Sequence, residues 1–421
     1  MIIFDIKFII YFSFNTIYQI YLTPLKTARK NGEVETMKDK TLLGLNLSAF
    51  LMMIGVGMIV ALLPQRIIEL DGNGNNVGYL ASMFAVAYIV LQIPVGAMAD
   101  RFGFKRFLAS GYFLCFLTGL CYYFSTGSAM IFLSRLLQGA GEAPVWALAP
   151  ALLSIKYASS KGSVMGSYNA IIHIGLTMGP ILGVFLIKFL AAKNLFLIYA
   201  FACLAGALLI AWLVDDIRPG KNAENIFNLA NIMAMIKDSS IFAALLGITL
   251  YGTGYGIFLT TIPAYLIEEK GFDSTYIGIF FSLFYIAISI SQLITGKLCD
   301  RFGAKIFMVS GLFLASLGLA ATRLLPAAAG MLSALTISSI GLGIFYLASM
   351  IFLNDAVDER YKGTISGAYY LFWGIGMFLG PPLLSLSSRI NGADLSLACY
   401  AGLYLALSAA MAILFSRRQE K

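Results

Sequence analysis

Two ionisable side chains, Arg135 and Glu142, stand deep inside an apolar stretch, SRLLQGAGEAPVWALAPALLS at 134–154. Charged groups in such surroundings are costly and face a cavity or a partner. A separation of seven residues puts both on one helix face, about 10 Å apart. A carboxyl group held there can take up a proton from one compartment and yield it to another, which makes Glu142 a proton-coupling candidate. The plainer alternative is that Glu142 only packs against a polar neighbour. Arg135 can orient a helix, balance charge or meet a substrate. His173, the single histidine, lies in another apolar stretch with Asn169 one turn earlier. It can relay protons near neutral pH or simply be satisfied by a neighbour. One histidine and two such ionisable groups make neither a metal site nor an acid–base set. No metal, no cofactor and no enzymatic reaction are therefore expected.

A second set of residues occurs twice. GAMADRFGFKRFL at 96–108 returns as GKLCDRFGAKIFM at 296–308, so Gly96, Asp100, Arg101, Gly103 and Lys105 recur as Gly296, Asp300, Arg301, Gly303 and Lys305. Each aspartate closes an apolar segment, where it can face the positive N-terminal end of a neighbouring helix or a nearby arginine. The glycines Gly103 and Gly303 permit a tight turn. Such a charge latch would hold two halves of a molecule together at one end and release them in another state. Anchoring of topology by positive charge accounts for the basic residues, but not for both aspartates and glycines.

The composition dictates what positions these groups. Hydrophobic residues make up 59% of the 421 and charged residues 12%, with a mean hydropathy of +0.84. A soluble surface needs more charge than that, whereas a membrane span needs roughly 20 apolar residues. Twelve apolar segments follow one another, at about 41–64, 77–98, 107–125, 129–153, 163–187, 194–214, 241–264, 275–296, 305–325, 327–352, 363–386 and 395–416. The polar stretch 215–240 divides them, with a short amphipathic helix expected inside it. Three parts follow: a bundle at 37–214, a central linker at 215–240 and a bundle at 241–421 with a short basic tail. The net charge of +8 sits in short loops on alternate sides, a pattern of membrane orientation rather than of nucleic-acid binding. Lys38, Lys40, Arg101, Lys105, Arg106, Lys156, Lys161, Lys297, Arg301, Lys305, Arg360, Lys362, Arg417 and Arg418 share the side that holds both ends of the core, and this rule makes it cytoplasmic. Five cysteines, Cys115, Cys121, Cys203, Cys299 and Cys399, lack metal-ligand spacing and read as small buried hydrophobes.

Residues 1–36 are harder to place. Ile2 to Leu22 is apolar but interrupted by Asp5, Lys7, Asn15 and Gln19, and Met37 stands directly before Lys-Asp-Lys and the first segment. A start assigned too early and an extra or interfacial helix are both open.

The duplication extends beyond the loop. Gly55, Gly57 and Pro64 return as Gly254, Gly256 and Pro263, and KGSVMGSYNAIIHIGLTMGPIL at 161–182 as KGTISGAYYLFWGIGMFLGPPL at 362–383. A nearly constant offset with six spans per half means parallel repeats about an axis along the membrane normal. Gly175, Gly179, Pro180 and Gly183, with Gly376, Gly380 and Pro381 as counterparts, form a flat face for close helix packing. Leu342 stands opposite Glu142, so the acidic chemistry is not duplicated.

These motifs resemble the major facilitator superfamily over about residues 38–418. The duplicated G-x-x-x-D-R-F-G-x-K loop is similar to its signature loop. Arg135-Leu-Leu-Gln-Gly-Ala-Gly resembles its R-x-x-Q-G-x-G motif, and Gly175 to Gly183 its antiporter motif. The resemblance implies an all-α membrane protein of twelve transmembrane helices in two pseudo-symmetric six-helix bundles, the major facilitator fold, similar to the twelve-span drug or metabolite:proton antiporters. It implies a multi-pass protein of the inner or plasma membrane, working as a monomer by alternating access. Its partners would be a small-molecule substrate, protons and the lipid bilayer, with no nucleic acid. In this fold spans one, four, seven and ten line the cavity, which makes Asn46, Tyr251, Tyr255 and Tyr346 substrate-cavity candidates beside Asn169. An Arg-to-Glu spacing like that of Arg135 and Glu142 occurs in proton-coupled organic-anion members. Export of drug-like compounds or metabolites is therefore the leading expectation. Organic-anion symport is the runner-up, with a membrane-embedded enzyme or a transporter-like sensor behind it.

Overall fold

A computed structural model describes residues 39–417 apart from 61, 73–78, 218–236, 273 and 326. The extension at 1–36, the helix expected in the linker and the tail beyond Arg417 lie outside the described residues. The helices, in chain order, are α1 (Lys40–Val60), α2 (Leu63–Asp71), α3 (Tyr79–Phe102), α4 (Phe104–Tyr123), α5 (Ser128–Lys156), α6 (Lys161–Leu186), α7 (Asn194–Leu213), α8 (Ser239–Leu259), α9 (Thr261–Glu268), α10 (Ser274–Phe302), α11 (Lys305–Ala321), α12 (Ala328–Asp355), α13 (Lys362–Asn391) and α14 (Ala393–Arg417). All but the short α2 and α9 are spans of the twelve-helix fold.

Several boundaries differ from the apolar runs. The first and seventh runs are each split, because Pro64 and Pro263 lack the N–H that a continuing helix uses and so open the new short helices α2 and α9. Elsewhere the helices outlast the apolar stretch: α3 and α10 run on through the polar Asp-Arg-Phe of the duplicated loop. Asp39 and Asp238 start α1 and α8 by accepting the N–H groups of Thr41 and of Ser240 and Ile241, which have no partner within the helix.

Within the first half α1 packs on α6 and α7, α4 on α5 and α7, and α3 on α5; the second half repeats this, with α8 on α13, α11 on α12 and α14, and α10 on α12. The halves meet mainly where α3 crosses α13 and α6 crosses α10. The small-residue faces explain the tightest intra-half contacts. A Cβ on Gly179 would lie 2.5 Å from the Ile54 carbonyl oxygen, and one on Gly376 2.0 Å from that of Thr249. Gly57 meets Pro180, and Gly256 meets Pro381. The outer surface is apolar, with Trp212, Val90, Phe201 and Leu403 exposed, as a lipid-facing belt requires. Cys115, Cys203 and Cys299 are buried, but Cys121 is only half-buried and Cys399 is exposed on α14. The expectation of five buried cysteines fails there because a helix on the rim of the bundle turns one face outward.

Candidate functional site

The duplicated loops bring the halves together at one end. Gly103 alone separates α3 from α4, with φ of +95°; between α10 and α11 stand Gly303, with φ of +80°, and Ala304. Side chains with a Cβ rarely adopt this backbone. The turn fixes Asp100 and Asp300 beside the helix that starts in the other half. The Asp100 carboxylate accepts the Gly363 N–H (2.7 Å) and, on its second oxygen, the Thr364 N–H (2.8 Å) and hydroxyl (2.7 Å). The Asp300 carboxylate accepts the Gly162 N–H (2.7 Å) and the Ser163 N–H (2.8 Å). Each aspartate thus sits on the unsatisfied first turn of α13 or α6, where donors and helix dipole both favour negative charge. Arg101 and Arg301 instead lie over the rings of Phe102 and Phe302, and both are exposed.

Gly96 and Gly296 have a different task. A Cβ on Gly96 would stand 2.3 Å from the Gly363 carbonyl oxygen, and one on Gly296 2.2 Å from that of Gly162. Backbone touches backbone at both crossings, so no larger residue fits. Around them Lys161 pairs with Asp355, Ser154 donates to Asn354 (3.1 Å), and Lys362 Nζ reaches the Ser154 carbonyl (3.4 Å). Among the described residues, every hydrogen bond between the halves lies at this latch end or midway along the helices.

On the same end of the first half, Lys156 binds Asp39 (3.1 Å), Asp215 (2.5 Å) and the Thr41 hydroxyl (2.7 Å). Burial works against ionisation of Asp39, but Tyr157, Lys156 and the Thr41 N–H outweigh it and hold its carboxyl below the usual carboxylate range. Bonds from Lys156 and Thr41 hold Asp215 low as well. The network ties the start of α1 and the start of the linker to the end of α5.

Deeper in the helices, Arg135, Gln138, Glu142 and Trp146 line one face of α5. Arg135 Nε donates to the Leu80 carbonyl (3.0 Å) and Nη1 to Gln138 Oε1 (2.9 Å), with the guanidinium 4.8 Å from the centre of the Phe84 ring. Tyr122 donates to the same Gln138 oxygen (2.8 Å). Gln138 Nε2 donates to Glu142 Oε1 (2.9 Å) and Trp146 Nε1 to Oε2 (3.1 Å). Arg135 and Glu142 share a face as the spacing predicts, yet Gln138 stands between them. Glu142 is buried, and the ion pairs among the described residues all lie elsewhere.

From Trp146 the contacts cross to the other half. Its ring lies 5.8 Å from that of Tyr370. The Tyr370 and Tyr346 hydroxyls are 2.9 Å apart, and Tyr346 reaches Asn169 Oδ1 at 2.9 Å. Since the amide oxygen can only accept, Tyr346 donates to Asn169 and Tyr370 donates to Tyr346. Tyr251 packs on Tyr346 (5.3 Å) and Tyr255 (6.1 Å). Four of the five cavity candidates are thus brought into one aromatic cluster; Asn46 is buried in α1 with no side-chain partner among the described residues. The hydrogen bond of His173 stays within its own helix, from Nδ1 to the Asn169 carbonyl (2.8 Å). Trp146 escaped the sequence reading of the site, since an aromatic residue in an apolar span carries no charge to mark it, and Gln138 entered only as part of the R-x-x-Q-G-x-G resemblance. Gln92 recurs at Gln292 as part of the duplication.

The chain matches the family model described as Major Facilitator Superfamily over residues 45–381. It is 25% identical to an uncharacterised transporter of this type from Methanocaldococcus jannaschii, over 84% of this chain and 92% of that protein. It is 26% identical to multidrug resistance protein 1 of Bacillus subtilis, over 82% and 88%. Its fold superimposes on the crystal structure of the human organic anion transporter TETRAN with a TM-score of 0.78 at 15% identity, covering 88% of this chain and 99% of the other.

Proposed function

The chain belongs to the major facilitator superfamily and is a multi-pass membrane transporter rather than an enzyme, and on that premise we propose that it exports small organic compounds in exchange for protons. The observation that carries the proton half is Glu142. It is a buried carboxyl group midway along α5, held by Gln138 and Trp146 with no cation bound to it directly. A group so placed can be neutralised by a proton without breaking an ion pair, which a coupling site requires. Trp146 links it to the tyrosine cluster between the halves, so protonation and substrate occupancy act on adjoining side chains. The aromatic cluster suits flat, partly apolar molecules, and the likeness to a multidrug resistance protein supports the same class.

Organic-anion symport draws support from the fold of an organic anion transporter. Against it, Arg135 is occupied by Leu80, Gln138 and the Phe84 ring, which leaves it poorly placed to receive a substrate anion. In the proposed orientation the latch end faces the cytoplasm, and the conformation described is closed on that side. The parts 37–214 and 241–421 move as two bodies about the site, joined by 215–240. The chain acts as a monomer.

The test is transport into proteoliposomes with an imposed pH gradient. Wild type accumulates compounds of this class, while Glu142→Gln, which cannot titrate, binds them without accumulating them. A Glu142→Gln protein that still concentrates substrate on a pH difference alone refutes the assignment.

A further inference from the structure

Midway along the contact between α3 and α13, three polar side chains are buried with no hydrogen bond of good geometry among the described residues. They are the Tyr88 hydroxyl, the Gln92 amide and the Trp373 indole N–H, and the first two, one turn apart on α3, make only a weak polar contact with each other. Tyr88 is 1% exposed and Gln92 fully covered. The edge of one ring meets the other, with the Tyr88 and Trp373 centroids 6.2 Å apart at 68°. Gln92 lies one turn nearer the latch, with its backbone carbonyl against Gly367 of α13. Buried polar groups are almost always paired, and each one left bare costs about 1–3 kcal/mol. A bare donor on each side of the seam between the halves therefore calls for an explanation.

The internal repeat provides a control. α10 crosses α6 as α3 crosses α13, with Gln292 in place of Gln92 and Gly166 in place of Gly367. Gln292 is also bare, so the amide belongs to the crossing itself. At the positions equivalent to Tyr88 and Trp373, however, the second crossing carries Ile288 and Ile172. The same helix packing forms there with no hydroxyl and no indole. Packing therefore does not require the two donors.

We infer that Tyr88 and Trp373 form a subsite that binds a carbonyl-type oxygen carried on a flat aromatic substrate. The inference rests on the transport reading above and specifies the chemistry its substrate presents. A tyrosine hydroxyl can donate or accept, but an indole N–H only donates. The ligand group that satisfies both is an acceptor. The walls are aromatic: Trp373 also meets Tyr255 (5.9 Å) and Tyr370 (6.4 Å), and Tyr88 stacks on Phe84 (5.3 Å). No ion pair among the described residues involves these walls, and the Arg135 guanidinium over the Phe84 ring already donates to Leu80 and Gln138, so a neutral oxygen on an aromatic body fits better than a free anion. One donor comes from each half. A bound acceptor thus bridges α3 and α13, the two helices that Asp100 latches further along. In the conformation described the donors are covered by their neighbours, and they become accessible as α3 and α13 part.

The experiment compares two isosteric probes, 2-acetylnaphthalene and 2-isopropenylnaphthalene, which differ only in C=O against C=CH2. Binding of each is measured by equilibrium dialysis against the full chain in nanodiscs. One hydrogen bond is worth about 3- to 10-fold in affinity, so two donors should favour the ketone by about 10-fold or more. Tyr88→Phe keeps the ring and should reduce that preference to about 3-fold by weakening the ketone alone. Trp373→Phe should act in the same direction, and it carries the test if Tyr88→Phe does not fold. A ketone preference that survives both substitutions overturns the proposal. So does a wild type that binds the two probes equally, or binds neither. None of these results touches the transport reading, which stands or falls on accumulation driven by the pH gradient.

Discussion

The two aspartates of the duplicated loop should not be equivalent, and the difference can be worked out from their partners. Asp100 receives three donors, two of them on one oxygen, in a site with no solvent exposure. Asparagine offers a single acceptor oxygen. Asp100→Asn keeps either the Gly363 bond or the two Thr364 bonds, and turns its own N–H2 toward the donors left over. Losing up to two bonds at about 1 kcal/mol each, with about 1 kcal/mol more for a donor facing a donor in a buried site, gives ~3 kcal/mol. That moves the balance between the closed and open latch by about 100-fold. Asp300 receives only two donors, one per oxygen, and one of these bonds is itself exposed. Asp300→Asn loses one bond that water can replace, about 1 kcal/mol, or about 5-fold. Spin labels at Arg106 on α4 and Ile306 on α11, both exposed and in opposite halves, would report the balance as short and long distances once the native cysteines are replaced. Asp100→Asn should populate the long distance far more than Asp300→Asn does. Equal shifts in the two variants, or none in Asp100→Asn, would refute the reasoning.

Other outcomes follow from the same contacts. Gly96→Ala puts a methyl group 2.3 Å from the Gly363 carbonyl oxygen, so it should block latch closure and leave the long distance dominant, while Gly402→Ala, with open space around it, should leave the distances unchanged. Thr364→Val removes only the hydroxyl bond to Asp100 and should shift the balance by about 1 kcal/mol, close to Asp300→Asn and well short of Asp100→Asn. Lys156→Met should lower the thermal midpoint near neutral pH. The carboxyls of Asp39 and Asp215 are held below their usual range, so their contribution is full above about pH 4 and is lost as pH falls through the lowered values. The gap between variant and wild type should therefore close in acid. A gap that stays constant down to about pH 2 would mean that Lys156 stabilises by packing alone.

Much of the fold was legible in the chain. Apolar segments of membrane length can only be helices in a bilayer, because every backbone N–H and C=O must be satisfied within the segment. The offset near 200 residues then fixes two equivalent halves, and Gly103 and Gly303 announce a turn that few other residues can make. Even the choice open to Asp100 was narrowed in advance to a helix end or an arginine. Which of the two it meets was a question of distance in space. The answer, the first turn of α13 some 260 residues away in the chain, depends on how α3 crosses the other half. The spacing of Arg135 and Glu142 placed them on one face, but only side-chain packing put Gln138 between them and turned Arg135 toward Leu80. Tyr88 and Trp373 go furthest in this direction. Nothing local distinguishes them from the other aromatic residues of the spans, because an unpaired donor is defined by what does not surround it. That follows from the meeting of two helices from opposite ends of the chain.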